Sequence, residues 1–161
     1  MLLFVALLLL VLFMPLVLTH FTGAIWSPTS LRIAKRMLEL SGLKPGEKLY
    51  DLGSGGGRIA IMSAKLGARA VGVEINPSLH LLAKLAGRGI PNLELRWGNL
   101  YKVDLSDADV VAIYLSPSEN RKLIPNLKKT QARCQNRLLP VAPSLSFEEE
   151  RGADISLRFR C

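Results

Sequence analysis

LYDLGSGGGRI, residues 49–59, is the stretch that decides the fold of this chain. An apolar pair leads into Asp51, glycines then occupy alternate positions, and an apolar run follows. This pattern predicts a short buried strand that ends at Leu52, a tight glycine loop, and a helix that begins near Arg58. Glycine suits a loop whose backbone needs positive φ or close approach to a ligand, and a helix N-terminus directs free amide groups at that ligand. The stretch therefore predicts a nucleotide-type binding loop.

The spacing of the glycines separates two kinds of nucleotide loop. The dinucleotide fingerprint G-x-G-x-x-G would require a glycine at position 58, where Arg58 stands. The pattern present is Gly53-x-Gly55-x-Gly57, and a second apolar run ends at Glu74. An acid at the end of the second strand of a doubly wound sheet can accept both hydroxyls of a ribose. The alternatives are an ordinary flexible turn for the glycines and a nicotinamide-dependent oxidoreductase for the whole loop.

Two motifs carry a resemblance to a known family: DLGSGGGR at 51–58 and VGVEINP at 71–77. They resemble motif I and its successor in class I, seven-β-strand S-adenosylmethionine-dependent methyltransferases. An apolar leader, Ser27-Pro28-Thr29 and Leu115-Ser116-Pro117 make the chain similar, more narrowly, to small membrane-anchored protein-lysine methyltransferases. The chain differs from that group at Gly56, where the group usually has an acid.

The resemblance implies S-adenosylmethionine as cofactor and assigns roles to particular residues. The implied cofactor-binding residues are Asp51, Gly53, Ser54, Gly55, Gly57, Glu74, Asn76, Asn99 and Leu100. Asn99 has a carbonyl for the exocyclic amine of adenine, and Leu100 would pack on the ring face. The implied catalytic residues, beside the acceptor amine, are Thr29, Ser116 and Pro117. Their structural alternatives are a helix N-terminus at Thr29 and a plain strand-to-helix turn at Ser116-Pro117.

The rest of the sequence lacks acid–base and metal-binding motifs, which is consistent with methyl transfer from a sulfonium. The reaction needs alignment of donor and acceptor with water excluded rather than acid–base machinery. A lysine acceptor must arrive neutral, and burial near a cationic sulfonium would favour that form. The sequence shows no Ser-His-Asp set, no paired catalytic carboxylates and no metal-ligand spacing, and Cys134 and Cys161 define neither a zinc site nor a disulfide framework. The expected enzyme is a protein-lysine N-methyltransferase without a metal.

Residues 1–26 contain no Asp, Glu, Lys or Arg, and residues 1–18 are nearly all Leu, Val and Phe. Such a run approaches the length of about 20 residues that spans a bilayer, so it predicts one N-terminal transmembrane helix. A cleaved signal peptide and a buried core helix are the alternatives. Arg32, Lys35 and Arg36 follow the run and favour a catalytic domain on the cytoplasmic side, or on the matrix side in an organelle.

The chain carries a formal net charge of +8 at pH 7. Between residues 27 and 130 there are 16 basic and 9 acidic residues, so this part contributes +7. Basic charge beside an apolar anchor indicates adhesion to anionic lipid headgroups, with ordinary solubilising charge as the alternative. No basic-aromatic run supports base stacking, so nucleic acid is not an expected partner. The expected partners are a protein substrate, with a membrane protein as one candidate, and the lipid bilayer through residues 1–26.

The predicted fold class is α/β: a Rossmann-like doubly wound sheet with incomplete C-terminal strands, preceded by the transmembrane helix. The predicted segments are the anchor 1–26, a helix and turn 27–48, the methyltransferase core 49–130 and an atypical tail 131–161.

The resemblance ends at about Lys129, where a fifth strand should follow but residues 131–143 contain no clean strand pattern. Only residues 155–159 alternate like a strand. A one-base shift of a possible coding sequence for residues 131–140 would read as a turn and a buried strand. A frameshift near Lys129 is therefore one hypothesis for the tail, and a non-catalytic truncated Rossmann-like fragment is an alternative for the chain.

Overall fold

A computed structural model describes residue 1 and residues 29–135 and 154–158 of the chain. The predicted anchor, apart from Met1, lies outside the described residues, as does most of the predicted tail. None of the helices in the described part is long and apolar enough to cross a membrane.

Helices and strands alternate along the described chain, as the sequence predicts for an α/β domain. The helices are α1 (Leu31–Ser41), α2 (Arg58–Lys65), α3 (Pro77–Ala86) and α4 (Pro117–Gln135), with a 3-10 turn at Leu100–Lys102. The strands are β1 (Lys48–Leu52), β2 (Arg69–Glu74), β3 (Leu93–Trp97), β4 (Val110–Tyr114) and β5 (Asp154–Arg158). The strand end at Leu52 and the helix start at Arg58 are confirmed, and α4 continues past the predicted domain boundary at residue 130.

The strands form one sheet in the order β3-β2-β1-β4-β5. The first four are mutually parallel, with Asp51 of β1 opposite Gly72 of β2 and Ala112 of β4. The parallel α/β sheet is therefore confirmed. The position beside β4, where the resemblance implies a fifth strand, is taken by β5 from the tail, which runs antiparallel with Ile113 opposite Ile155.

The sheet is covered on both faces, which makes it doubly wound. On one face Tyr50 and Leu52 of β1 pack with Leu123 and Leu127 of α4. On the other face the neighbouring residue Leu49 packs with residues of α1 and α2. Successive strand residues point to opposite faces, so a continuously apolar strand can serve both cores.

Capping residues fix where the helices begin and end around the glycine loop. The Ser30 hydroxyl accepts a hydrogen bond from the Ile33 amide at 3.2 Å, so Ser30 rather than Thr29 caps α1. Gly42 ends the same helix in the left-handed conformation. Asn76 caps α3, with Pro77 in the first helical position. These caps place the loop, the end of β2 and the segment before α1 at one edge of the sheet.

Candidate active site

The loop between β1 and α2 has the backbone geometry that only glycine adopts without strain. Gly53 and Gly57 both have φ of +79°. A Cβ atom at position 53 would lie 2.7 Å from Leu115 Cδ2, and one at position 57 would lie 3.0 Å from the Cβ of Ala83. At Gly55, by contrast, no atom lies within 4 Å of a Cβ position, so the crest of the loop faces open space. The loop leaves room for a ligand above Gly55 and is closely packed below.

Asp51 lies beneath the loop and holds α2 in place. Its side chain is buried, at 2% exposure, and Oδ2 accepts a hydrogen bond from the Ala60 amide at 3.2 Å. Burial raises the pKa of Asp51 to about 7; the Ala60 amide opposes this rise and the charge of Glu74 adds to it. The sequence predicts that the first amides of α2 are directed at a ligand, but the Ala60 amide binds Asp51 instead. Asp51 supports the loop from below.

Glu74 lies at the end of β2 with its carboxylate against the loop. Only 7% of the residue is exposed. Oε2 accepts the Gly55 amide at 2.7 Å, and Oε1 accepts the Asn76 amide at 2.8 Å. Because each carboxylate oxygen has a second lone pair, the oriented group can still accept two hydroxyl donors. This donor and acceptor chemistry fits the ribose of an adenosyl group.

Ser54 and Asn76 complete the surroundings of that carboxylate. The Ser54 amide donates to the Val73 carbonyl at 3.0 Å, while its buried hydroxyl oxygen has no hydrogen-bond partner. The Asn76 Oδ1 accepts the amides of Ser78 and Leu79 at 2.9 and 3.3 Å, and the side chain is buried. Asn76 therefore orients Glu74 through its backbone and begins α3 through its side chain.

Asn99 and Leu100 lie after β3. The Asn99 Oδ1 accepts the Tyr101 amide at 2.9 Å and so caps the 3-10 turn. Asn99 is exposed, so its amide group and the second lone pair of its carbonyl face solvent. Leu100 is buried, and its Cδ2 lies 3.7 Å from the Cβ position of Gly53. The residues predicted for adenine thus lie next to the glycine loop.

The three predicted catalytic residues lie in two places. Ser116 follows β4, and its hydroxyl lies 2.9 Å from the Ser118 hydroxyl and 3.4 Å from the Glu119 amide. Ser116 and Pro117 thus form the start of α4, which is the structural alternative for this motif. Thr29 precedes α1, and its carbonyl accepts a hydrogen bond at 2.7 Å from Nη1 of Arg58, the first residue of α2.

Some residues that shape the site were missed from the sequence. Arg58, which sequence reasoning used only to exclude the dinucleotide fingerprint, ties the Thr29 segment to the first turn of α2. The Tyr101 hydroxyl donates to the Glu119 carboxylate, which also pairs with Lys122 at 2.8 Å. Burial is the main cause that raises the pKa of Tyr101 to about 12, and the Glu119 carboxylate adds to the rise. Neither contact has a sequence signal, because the partners are far apart in the chain and follow no periodicity.

Comparison with known proteins identifies the family of this site. The family described as the ANTKMT methyltransferase domain matches residues 51–139. A protein-lysine N-methyltransferase of Saccharolobus islandicus is 38% identical over 107 residues, which is 63% of this chain and 66% of the relative. The adenine nucleotide translocase lysine N-methyltransferase of Mus musculus is 40% identical over 93 residues, which is 55% of this chain and 40% of the relative. The chain thus spans less than two thirds of the length of these relatives.

A solved structure connects the fold to its cofactor. The RNA methyltransferase of Salinibacter ruber, in complex with S-adenosyl-L-homocysteine, aligns with a TM-score of 0.62 and 44% sequence identity. The alignment covers 65% of this chain and 71% of that one. The bound compound is the demethylated form of S-adenosylmethionine, and the adenosyl part that both share is what the loop and Glu74 suit. The chain therefore belongs to the ANTKMT methyltransferase domain family, a group of class I methyltransferases whose cofactor is S-adenosylmethionine.

Proposed function

We propose that this protein transfers a methyl group from S-adenosylmethionine to the side-chain amine of a protein lysine. The observation that carries the proposal is the buried Glu74 carboxylate, oriented by the Gly55 and Asn76 amides beside an open glycine loop. The lysine methyltransferases of Saccharolobus islandicus and Mus musculus support protein lysine as the acceptor. Because the chain spans only part of these relatives, the reaction and its substrate are proposals for this chain.

The residues of the site divide the work of binding the cofactor. Glu74 would accept the ribose hydroxyls, Gly55 would leave space above the loop, and Asn99 and Leu100 would hold the adenine by its amine and its face. Asp51 keeps the loop and α2 in register from below. When bound, the cofactor supplies a methyl group already activated by its positive sulfur.

Acceptor alignment is the second task, and we assign it to the segments of Thr29 and Ser116-Pro117. The Arg58 hydrogen bond holds the Thr29 backbone beside the helix that follows the loop. Ser116 lies directly after Leu115, whose side chain packs at Gly53. Both segments therefore adjoin the cofactor loop, where they can position an amine and exclude water. A lysine that enters this region must lose its proton first, which desolvation near a positive sulfur promotes.

Calorimetric titration of S-adenosylmethionine into the full chain, with NADH as the competing cofactor class, tests the binding step. Glu74→Gln should weaken binding roughly 10-fold to 100-fold, because hydrogen bonds to a charged acceptor are worth about 1.5–3 kcal/mol. Glu94→Gln is the matched control, since Glu94 is exposed on β3 and pairs with Arg96. Equal affinities in the two variants, or heat from NADH alone, would refute the assigned cofactor site.

The acceptor class needs a separate measurement. The full chain would be incubated with methyl-labelled S-adenosylmethionine and either a membrane-protein extract or total RNA, followed by hydrolysis and identification of the labelled product. Methyl-lysine in the protein sample supports the proposal. RNA is the second candidate, because the Salinibacter ruber structure is described as an RNA methyltransferase. Cofactor binding with no labelled product in either sample would favour the non-catalytic alternative.

We further propose that residues 1–26 anchor the protein in a membrane, with the catalytic domain on the cytoplasmic or matrix side. The support is the uncharged apolar sequence of this segment and the basic residues that follow it. Alkaline extraction of membranes that contain the full chain tests this proposal. The protein should stay in the membrane pellet, and Leu8→Arg together with Leu9→Arg should release it. Release of the unaltered chain by alkali would contradict the anchor.

A further inference from the structure

Helix α3 carries three large apolar side chains that are exposed. Ala83 is its only buried residue, and its Cβ lies 3.0 Å from the Cβ position of Gly57 in the glycine loop. Leu81, Leu82 and Leu85 are 58%, 50% and 64% exposed. At 3.6 residues per turn these leucines fall within about 100° of each other, and they lie about 100–160° around the helix from Ala83. An exposed leucine cluster on one helix face is typical of an interaction surface.

A tryptophan lies near the start of the same helix. Trp97, at the end of β3, is 67% exposed. Its indole Nε1 donates to the Ile75 carbonyl at 2.8 Å, which fixes the ring two residues before α3 begins. Ile75 is itself exposed. An indole with a satisfied N–H group and an exposed ring is the side chain that proteins place at the boundary between lipid and water.

The charged residues on α3 and in the segment that follows it, up to residue 93, are all basic. Lys84 and Arg88 lie on or directly after α3, and the sequence contains no Asp or Glu between Glu74 and Glu94. Glu74 is buried under the loop, and Glu94 forms two hydrogen bonds with Arg96. Burial and the neighbouring charge of Lys84 lower the pKa of His80, while Glu74 opposes this shift. The face therefore combines exposed leucines with a basic rim.

We propose that the outer face of α3, with Leu81, Leu82, Leu85, Lys84 and Arg88, docks on the surface of an anionic bilayer. Leucines enter the boundary of the acyl chains in such an arrangement, and the basic side chains reach lipid phosphates. A second copy of the chain fits less well, because a two-fold contact through this face would bring its own positive charges together. The proposal goes beyond methyl transfer and does not depend on it.

Docking through α3 would place the cofactor loop close to the membrane. Leu82 Cδ2 lies 3.7 Å from the Cβ position of Gly56, so the leucine face adjoins the glycine loop. The open side of the site would then face lysines that lie near the headgroups.

The test places an environment-sensitive fluorophore on the face itself. The full chain, with Cys134→Ser and Cys161→Ser, would carry a nitrobenzoxadiazole label at Leu85→Cys. It would be reconstituted in vesicles of phosphatidylcholine and phosphatidylglycerol that contain a quencher on the acyl chains. The matched control is Leu66→Cys, because Leu66 is 55% exposed beside a lysine but lies on a different helix, at the end of α2. Binding of S-adenosyl-L-homocysteine would show that each labelled protein is folded.

The proposal expects strong quenching at position 85 and little at position 66. Lys84→Glu together with Arg88→Glu should lower the docked fraction at position 85, since each basic residue near an anionic surface is worth about fivefold. Equal quenching at the two positions would overturn the proposal. A label at position 85 that is shielded from water but not quenched by lipid would also overturn it, because another segment or a second copy would then cover the face.

Discussion

The glycine loop with Asp51 and Glu74 differs from the start of α4 in how its polar groups are held. Around the loop, buried carboxylates bind amides of other elements: Asp51 binds Ala60, and Glu74 binds Gly55. At the start of α4, the contacts of the exposed Ser116 hydroxyl among the described residues lie within its own helix turn. The cofactor half of the site is thus built into the core, and the proposed acceptor half lies on the surface. Substitutions at the loop should therefore affect stability and cofactor affinity, whereas those near α4 should affect turnover.

The largest expected effect is the pH dependence caused by Asp51. Its pKa lies at about 7 in the fold, against an ordinary value of 3.8, so the fold favours the protonated acid. The resulting stability is complete only below about pH 3.8, and it is lost as the pH rises from there through 7. Because a tenfold change in an acid constant is worth about 1.4 kcal/mol, the loss should reach about 4 kcal/mol near pH 8. Asp51→Asn should remove this part of the dependence in denaturant titrations at about pH 4 and about pH 8.

Asp107 is a control for Asp51, because its pKa is shifted in the opposite direction. Burial raises the pKa of Asp107, but its hydrogen bonds with Lys48 and Tyr50 lower it more, so the net shift is downward. Its contribution to stability should therefore be lost as the pH falls through that lowered pKa. If Asp51→Asn and the unaltered chain lose stability equally between acid and alkaline pH, Asp51 is not the buried acid that the structure shows.

The second prediction concerns the close packing under the loop. Gly53→Ala places a Cβ 2.7 Å from Leu115 at a φ of +79°, so it combines a clash with backbone strain. We expect the free energy of unfolding to fall by about 1–3 kcal/mol and the affinity for S-adenosylmethionine to fall with it. Gly98→Ala is the control, because no atom lies near a Cβ there and φ is not positive. Adding Leu115→Ala to Gly53→Ala should recover the part of the unfolding free energy that the clash removes. Complete recovery would show that backbone strain contributes nothing.

The loop could be predicted from sequence because its requirements are local. The glycines at 53, 55 and 57 define the turn. Asp51 before them supports the loop, and Glu74 at the end of the next strand supplies the carboxylate. The structure places these residues together. Thr29 and Arg58 are 29 residues apart and follow no periodic pattern, so the hydrogen bond between them could not be predicted from the sequence. The same limit applies to β5: alternation marked residues 155–159, but the choice of β4 as an antiparallel partner depends on the sheet edge that the other strands leave open.

The third prediction links the loop to the segment before α1. Arg58→Met removes the hydrogen bond to the Thr29 carbonyl and keeps most of the side-chain length. If Thr29 helps to align the acceptor, kcat should fall about tenfold, because misplacement of a reacting group can cost up to about 100-fold. Affinity for S-adenosylmethionine should remain, which calorimetry on the same protein would check. Arg36→Met on α1 is the control, and an equal kcat in both variants would remove Thr29 from the proposed acceptor site.

The smallest effect should come from Ser116, and it decides between a cap and an acceptor contact. Ser116→Ala removes a long hydrogen bond of 3.4 Å to the Glu119 amide, so unfolding should become easier by about 0.5–1 kcal/mol. Ser118→Ala is matched, since it removes the other hydroxyl of the same pair. A pure cap would lower stability in Ser116→Ala and leave kcat equal in the two variants. An acceptor role requires kcat to fall in Ser116→Ala alone, at unchanged cofactor affinity, because methyl transfer depends on alignment more than on binding.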